Sequence, residues 1–213
     1  MVSNTLSRQG QPKGNKRHRT RAKLLEAARE LIREKGFECT TLVDVAERAG
    51  MTTGAIYGNF KNRDELFMEL ATTYWGPIIP KFKTGSTFAD KMRALAEAVI
   101  QAIPERRIAA LGALTFRTYA LSHEEVRARV HDIMAKGYEE FAEWLRLFAA
   151  QGDHLPMPPD ILVRVLHAMI DGLLFQRFLT PDLIPDEVFY AAFAALASEA
   201  YRGPNVQTQD TLG

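Results

Sequence analysis

Apolar positions along this chain recur at helical spacing. Leu24, Leu25, Ala28, Leu31 and Ile32 fall at i, i+1, i+4, i+7 and i+8, which predicts an amphipathic helix from about Thr20, ended by Gly36. Gly10, Pro12, Gly14 and Asn15 argue against a helix before residue 16. Thr41 suits the cap of a short second helix whose small apolar set is Val43, Val45, Ala46 and Ala49, closed by Gly50. Thr52 suits the cap of a third, running to about Asn59. A fourth starts near Arg63, buries Leu66, Phe67 and Leu70, and fades before Gly76-Pro77.

The rest of the chain follows the same period. Met92, Leu95, Ala96, Val99 and Ile103 form a stripe stopped by Pro104, which itself suits the first turn of a following helix carrying Ile108, Leu111, Leu114 and Phe116. Ser122 and Glu125 have capping-box spacing and open a long helix through Phe148. Gln151–Pro159 is a loop, and helices follow over Ile161–Leu179 and Asp186–Tyr201. Asp171-Gly172 is a hairpin signal, but its flanks keep the helical period, and no segment alternates convincingly as a strand. The expectation is an all-α protein of about nine helices. A basic flexible leader over 1–18 precedes a helix-turn-helix domain over 19–65. A helical ligand-binding and dimerisation domain follows over 66–203, then a flexible tail over 204–213.

Composition narrows the class. The 213 residues are 46% hydrophobic and 25% charged, values of a globular chain. The longest apolar run, Phe189–Ala197, is under half of what a membrane helix needs, and the N-terminus has no apolar core of a secretory signal. The one cysteine, Cys39, has no internal partner and no metal-binding spacing beside it, so it reads as a small core residue in a metal-free, cytoplasmic protein without cofactor. Charge is uneven: residues 1–63 hold 13 Lys and Arg against 6 Asp and Glu, residues 64–213 hold 14 against 20. That split gives the N-terminal third a polyanionic partner. The dense basic run from Arg8 to Lys23 is either part of that contact or a solvated leader.

A support helix followed by two short helices hinged at a glycine is a helix-turn-helix. In LVDVAERAGMTTGAIYGNF, residues 42–60, Val45, Ala46, Ala49, Ile56 and Phe60 supply a small trihelical core. Gly54 and Ala55 let the third helix approach a groove. From Arg19 to Leu70 the sequence resembles the TetR family of transcriptional regulators. It shares Thr-Thr before helix two, Val-Ala-Glu-Arg-Ala-Gly, Gly-x-Ile-Tyr-x-x-Phe, then Lys and Glu-Leu-Phe. About a quarter of the chain carries the resemblance strongly; the remainder shares helix layout and the Ile170–Leu174 segment. The resemblance implies a homodimer that binds operator DNA and a C-terminal domain holding a small-molecule pocket, dimerising through its last two long helices.

A recognition helix reads bases with its N-terminal residues. Here these are Thr52, Thr53, Gly54 and Ala55. Thr53 can hydrogen-bond a base, Ala55 or a threonine methyl can pack on a thymine methyl, and Asn59 can pair with adenine if it faces the groove. Tyr57 and Lys61 suit phosphates, as does Thr41 at a helix start, although Tyr57 has packing in the small core as its alternative. Family members often carry lysine where Thr53 stands, and Gly58 lies inside the expected recognition helix. Arg17 and Arg19, with Lys16 and Arg21, can make up for the missing charge from the leader.

In the second half, Met92, Phe116, Met134, Tyr138, Phe141 and Phe175 are core or, collectively, the lining of an apolar pocket. Arg117 is a polar candidate beside Phe116. His167 and Asp171 share a helix face, as a structural or dimer contact, a ligand anchor or, least of all, a pair of metal ligands. The helices at 161–179 and 186–201 carry Phe175, Leu179, Phe189, Phe193 and Leu196, with alanines and Gly172 for close approach, and suit a twofold four-helix dimer contact. The leading function is a repressor released from a palindromic operator by a small, largely apolar effector. The alternative is a DNA-binding regulator controlled by a protein partner or by no ligand. With no phosphate-binding glycine loop, HExxH or nucleophile motif, an enzyme is not expected.

Overall fold

The computed structural model of the protein describes residues 13–150, 152 and 154–198. Among these are eight helices and no strand: α1 (Lys13–Lys35), α2 (Leu42–Arg48), α3 (Thr53–Tyr57), α4 (Arg63–Tyr74), α5 (Phe88–Ser122), α6 (Glu124–Ala150), α7 (Pro159–Leu179) and α8 (Asp186–Ser198). None is long and apolar enough to cross a membrane.

Three departures from the sequence expectation have local causes. Helix α1 begins at Lys13 rather than near residue 20, so residues 13–18 of the expected flexible leader are helical. The glycine and asparagine that argued against this lie in its first turn, where no intrahelical N–H bond is needed. The two helices expected to meet at Pro104 are one, α5, with the proline inside. Proline removes one N–H and crowds the preceding turn, but packing on both sides holds the helix through it. Ser122 does not cap α6: it is the last residue of α5, and its hydroxyl donates to the Thr118 carbonyl at 3.3 Å. Residues 1–12, the expected tail over 204–213 and the end of the last helix beyond Ser198 lie outside the described residues.

The chain divides into two compact units. Among the described residues one comprises 13–76 and 108–123, the other 77–107 and 124–198. Packing thus groups α4 and the second part of α5 with the helix-turn-helix, where the sequence suggested a single boundary near residue 65. The reason is an aromatic cluster: Phe37 packs on Phe67 at 4.3 Å, on Tyr119 at 5.0 Å and on Phe116 at 6.4 Å between ring centres. Around it Leu24, Leu25, Ala28, Leu31, Ile32, Leu66 and Leu70 close the core of the first unit. In the second unit Met92, Leu95, Val99, Leu145, Leu162, Leu166, Leu174, Phe189 and Phe193 are buried. Lys91 is buried among them, its Nζ donating to the Ser86 carbonyl at 2.8 Å and lying 4.3 Å from the Phe148 ring centre.

Candidate nucleic-acid interface and effector site

Each short helix is started by a threonine, as the sequence indicated. Thr41 Oγ1 accepts from the Asp44 N–H at 3.2 Å, while Asp44 Oδ2 accepts from the Thr41 N–H at 2.9 Å and its hydroxyl at 2.6 Å. Lys35 Nζ donates to the same carboxylate at 2.7 Å. Lys35 first, then the Thr41 donors, hold the Asp44 carboxyl well below the ordinary carboxylate range. Helix α2 ends in Gly50 at φ +65°, a left-handed turn that suits glycine, with the Met51 N–H on the Ala46 carbonyl at 2.8 Å. Thr52 Oγ1 then accepts from the Ala55 N–H at 3.2 Å and starts α3.

Helix α3 buries Ile56, and Phe60 is buried just beyond it. Its outer face is Thr53, Gly54, Tyr57 and Gly58, exposed together with Thr52 and, further on, Lys61. Ala55 is half-buried. Tyr57 is 54% exposed, so the alternative of packing in the small core does not hold. Gly58 caps α3 in ordinary right-handed geometry instead of lying inside it. Val43, expected in the core, is exposed, and Ala49 is half-buried.

Asn59 is placed otherwise than its pairing with adenine requires. Its Nδ2 donates to the Ala55 carbonyl at 2.7 Å, and its Oδ1 is buried without a partner. The chain leaves α3 here, and a short amide side chain folds back on the carbonyls of the last turn. Its own carbonyl accepts from Arg21 at 2.6 Å. Arg21, expected to reach DNA with the leader, forms a two-pronged pair with Glu69 of α4 and lies 4.4 Å from the Phe60 ring centre. It pins α1 and α4 to the end of α3. Arg17, exposed, lies one turn earlier on the same face of α1, and Arg19 is exposed as well.

Three further ties went unread in the sequence. Arg63 donates to the Phe37 carbonyl and stacks 4.6 Å from the Phe37 ring centre. Arg48 pairs with Glu34 of α1, at 2.5 Å. The Tyr119 hydroxyl donates to Asp64 at 3.2 Å, and burial, ahead of the Asp64 charge, raises the Tyr119 pKa above its usual value. Cys39, expected inside, is exposed. These partners are 14 to 55 residues apart, beyond what local periodicity can pair.

The candidate effector residues separate. Phe116 and Arg117 lie in the first unit, Phe116 in its aromatic core and Arg117 5.8 Å from the Trp75 ring centre. Met92 is core of the second unit, 4% exposed. Met134, Phe141 and Phe175 are half-buried; Phe141 lies edge-on to Trp144 at 6.5 Å and Phe175 to Phe178 at 6.1 Å. Three residues do meet. The Tyr138 hydroxyl of α6 lies 2.7 Å from His167 Nδ1 of α7, and His167 Nε2 lies 3.4 Å from Asp171 Oδ2. Arg106 of α5 faces the same carboxylate, and burial lowers its pKa against the opposing pull of Asp171. No three His, Cys, Asp or Glu side chains group as metal donors among the described residues.

The expected dimer surface also divides. Phe189 and Phe193 are 0% exposed within the single chain, because they complete the core of the second unit. What α7 and α8 leave in solvent is Ala168, Gly172 and Leu179 on one, Tyr190, Ala191, Ala194 and Ala195 on the other.

Comparison with known proteins agrees with this arrangement. Residues 24–70 match the model of the bacterial regulatory proteins of the tetR family, and residues 88–200, more than half of the chain, match that of the BetI-type transcriptional repressor C-terminal domain. The transcriptional regulator TtgR of Pseudomonas putida is 49% identical over 51 residues, 24% of each chain. The matched segment spans about a quarter to a third of the curated relatives that match first. A TetR-family regulator structure from Rhodococcus sp. superposes with a TM-score of 0.65 at 21% identity, covering 85% of this chain and 100% of that one. NalD, the secondary repressor of the MexAB-OprM multidrug efflux pump in Pseudomonas aeruginosa, superposes with a TM-score of 0.58 at 26% identity, covering 84% and 94%. The chain belongs to the TetR family of bacterial regulatory proteins, DNA-binding transcriptional regulators rather than enzymes.

Proposed function

We propose that this protein is a homodimeric repressor that binds a palindromic operator through α3 and leaves it when a small effector binds the second unit. The observation that carries the DNA reading is the outer face of α3. Thr52, Thr53 and Gly54 stand exposed at its start, and Tyr57 and Lys61 lie exposed beyond them, over a buried Ile56 and Phe60. In this reading Thr52, Thr53 and Ala55 meet base edges, and Thr41, Tyr57, Lys61, Arg17 and Arg19 meet phosphates. Asn59 shapes the end of α3 and does not read a base. Two α3 helices related by a twofold axis would fall in successive major grooves, about 34–36 Å apart or a multiple of it.

The exposed small-residue face of α7 and α8 suits the twofold contact, since Gly172 has open space where a Cβ would stand. Tyr138, His167 and Asp171, with Arg106 beside them, supply the polar anchor for an effector whose apolar part would lie along Met134, Phe141 and Phe175. The effector releases DNA only to the extent that it prefers a state with differently placed recognition helices. The efflux-pump repression that NalD's description states makes a transported apolar compound the first effector class to test. The test is titration of an operator, selected from random DNA, in the presence of such compounds. Release by a compound that fails on a Tyr138→Phe, His167→Ala variant supports the reading. Binding unaffected by any compound favours the partner-controlled alternative.

A further inference from the structure

The first unit contains a cleft that its DNA-binding role does not use. It has a volume of about 50 Å³ and lies among α1, α4 and the second part of α5. That is room for about four water-sized groups, so it takes a single ring or a short branched chain and not a drug-sized molecule. Its inner wall is apolar, with Ile32 and Phe37 buried. Trp75 lines it half-buried, and Ile108 and Leu111 line it while remaining 51% and 60% exposed. Gly112 keeps it open: a Cβ there would stand 3.6 Å from Ile32 Cγ2, and any longer side chain would enter the space.

The charge on the lining has one sign. Arg29 and Arg33, one turn apart on α1, are its only ionisable side chains. Arg29 is held by Glu26 on its own helix. Arg33 is exposed and makes no ion pair among the described residues. A neutral apolar guest would leave the two guanidinium groups beside it unmatched, and a cation would be repelled. A carboxylate at the rim can take a charge-assisted hydrogen bond from Arg33 while its apolar body covers Leu111 and Ile108.

We propose that this cleft binds small apolar monocarboxylates, with the ring or branched chain against Ile32 and Trp75 and the carboxylate at Arg33. This site lies within the DNA-binding unit, separate from the Tyr138–His167–Asp171 group, and its occupancy is read without DNA. Failure of the operator reading therefore leaves it standing, and its own failure leaves that reading standing.

Benzoate is the probe, titrated into the full chain by calorimetry and by tryptophan fluorescence. Trp75 and Trp144 are the two tryptophans, so the fluorescence arm uses a Trp144→Phe variant, in which Trp75 alone reports. The expected result is saturable binding that changes Trp75 emission, weakened about fivefold by Arg33→Gln and to a similar degree when benzyl alcohol replaces benzoate. Gly112→Leu, which fills the cleft, abolishes it; Arg33→Gln lies on the surface and keeps the test alive should the filled variant fold poorly. Three results would each overturn the proposal: no saturable change at Trp75, equal binding of benzyl alcohol, or binding that survives in a folded Gly112→Leu protein.

Discussion

Tyr57 and Lys61 have no structural duty that competes with contact to DNA. Tyr57 leaves its ring in solvent, and the Lys61 side chain is exposed, its backbone N–H alone being used by Glu65 at 2.7 Å. Tyr57→Ala should weaken binding to operator and to random DNA alike, by about tenfold, while leaving thermal stability unchanged. Lys61→Ala should do the same and also reduce the slope of log affinity against log salt by about one. Anisotropy titrations over a range of salt concentrations measure both, and a loss confined to the operator would assign the residue to base readout. Arg21 behaves in the opposite way. Arg21→Ala removes a half-buried pair and a ring contact that fix α1 and α4 on the end of α3. It should cost about 1–2 kcal/mol of stability by denaturant unfolding, discounted for the partial exposure of both partners. Unchanged stability would return Arg21 to the DNA-contacting set.

The capping of α2 makes a prediction at the scale of the element. Thr41→Ala should cost about 1 kcal/mol through the lost cap. Because the Asp44 carboxyl is held low in the folded chain, its stabilising contribution is present above the ordinary carboxylate range and is lost as pH falls through that range toward its lower folded value. The stability gap between wild type and Asp44→Asn should therefore be larger at pH 7 than at pH 3; a gap that widens in acid would contradict the arrangement. Elements were the most legible level of the sequence. The caps at Thr41 and Thr52, the turn at Gly50 and the starts of α4 and α8 depend on neighbouring residues, and all appear where the pattern put them. Pro104 and Ser122 misled because tertiary packing decides whether a break signal is obeyed. The candidate effector set was less legible. Helical periodicity identifies which side chains are inside but not which helix they face, so Phe116 and Met92 looked like lining and are core. His167 and Asp171 were visible as a pair; Tyr138 and Arg106 join them from other helices at sequence distances no local pattern encodes.

At the scale of the whole molecule the account requires two copies. Ala168 and Gly172 on α7 and Ala191, Ala194 and Ala195 on α8 are exposed and small, while the large aromatics first expected there serve the chain's own core. Gly172→Arg places a charged side chain in open space and should leave the helical content intact while converting the dimer to monomer in sedimentation. A dimer that persists would move the twofold contact elsewhere. The most direct measurement is selection of bound sequences from a random duplex library, followed by stoichiometry of the enriched site. The account predicts an inverted repeat bound by two chains, lost on Gly172→Arg. Enrichment of no sequence over random DNA, or a single half-site held by one chain, would contradict it.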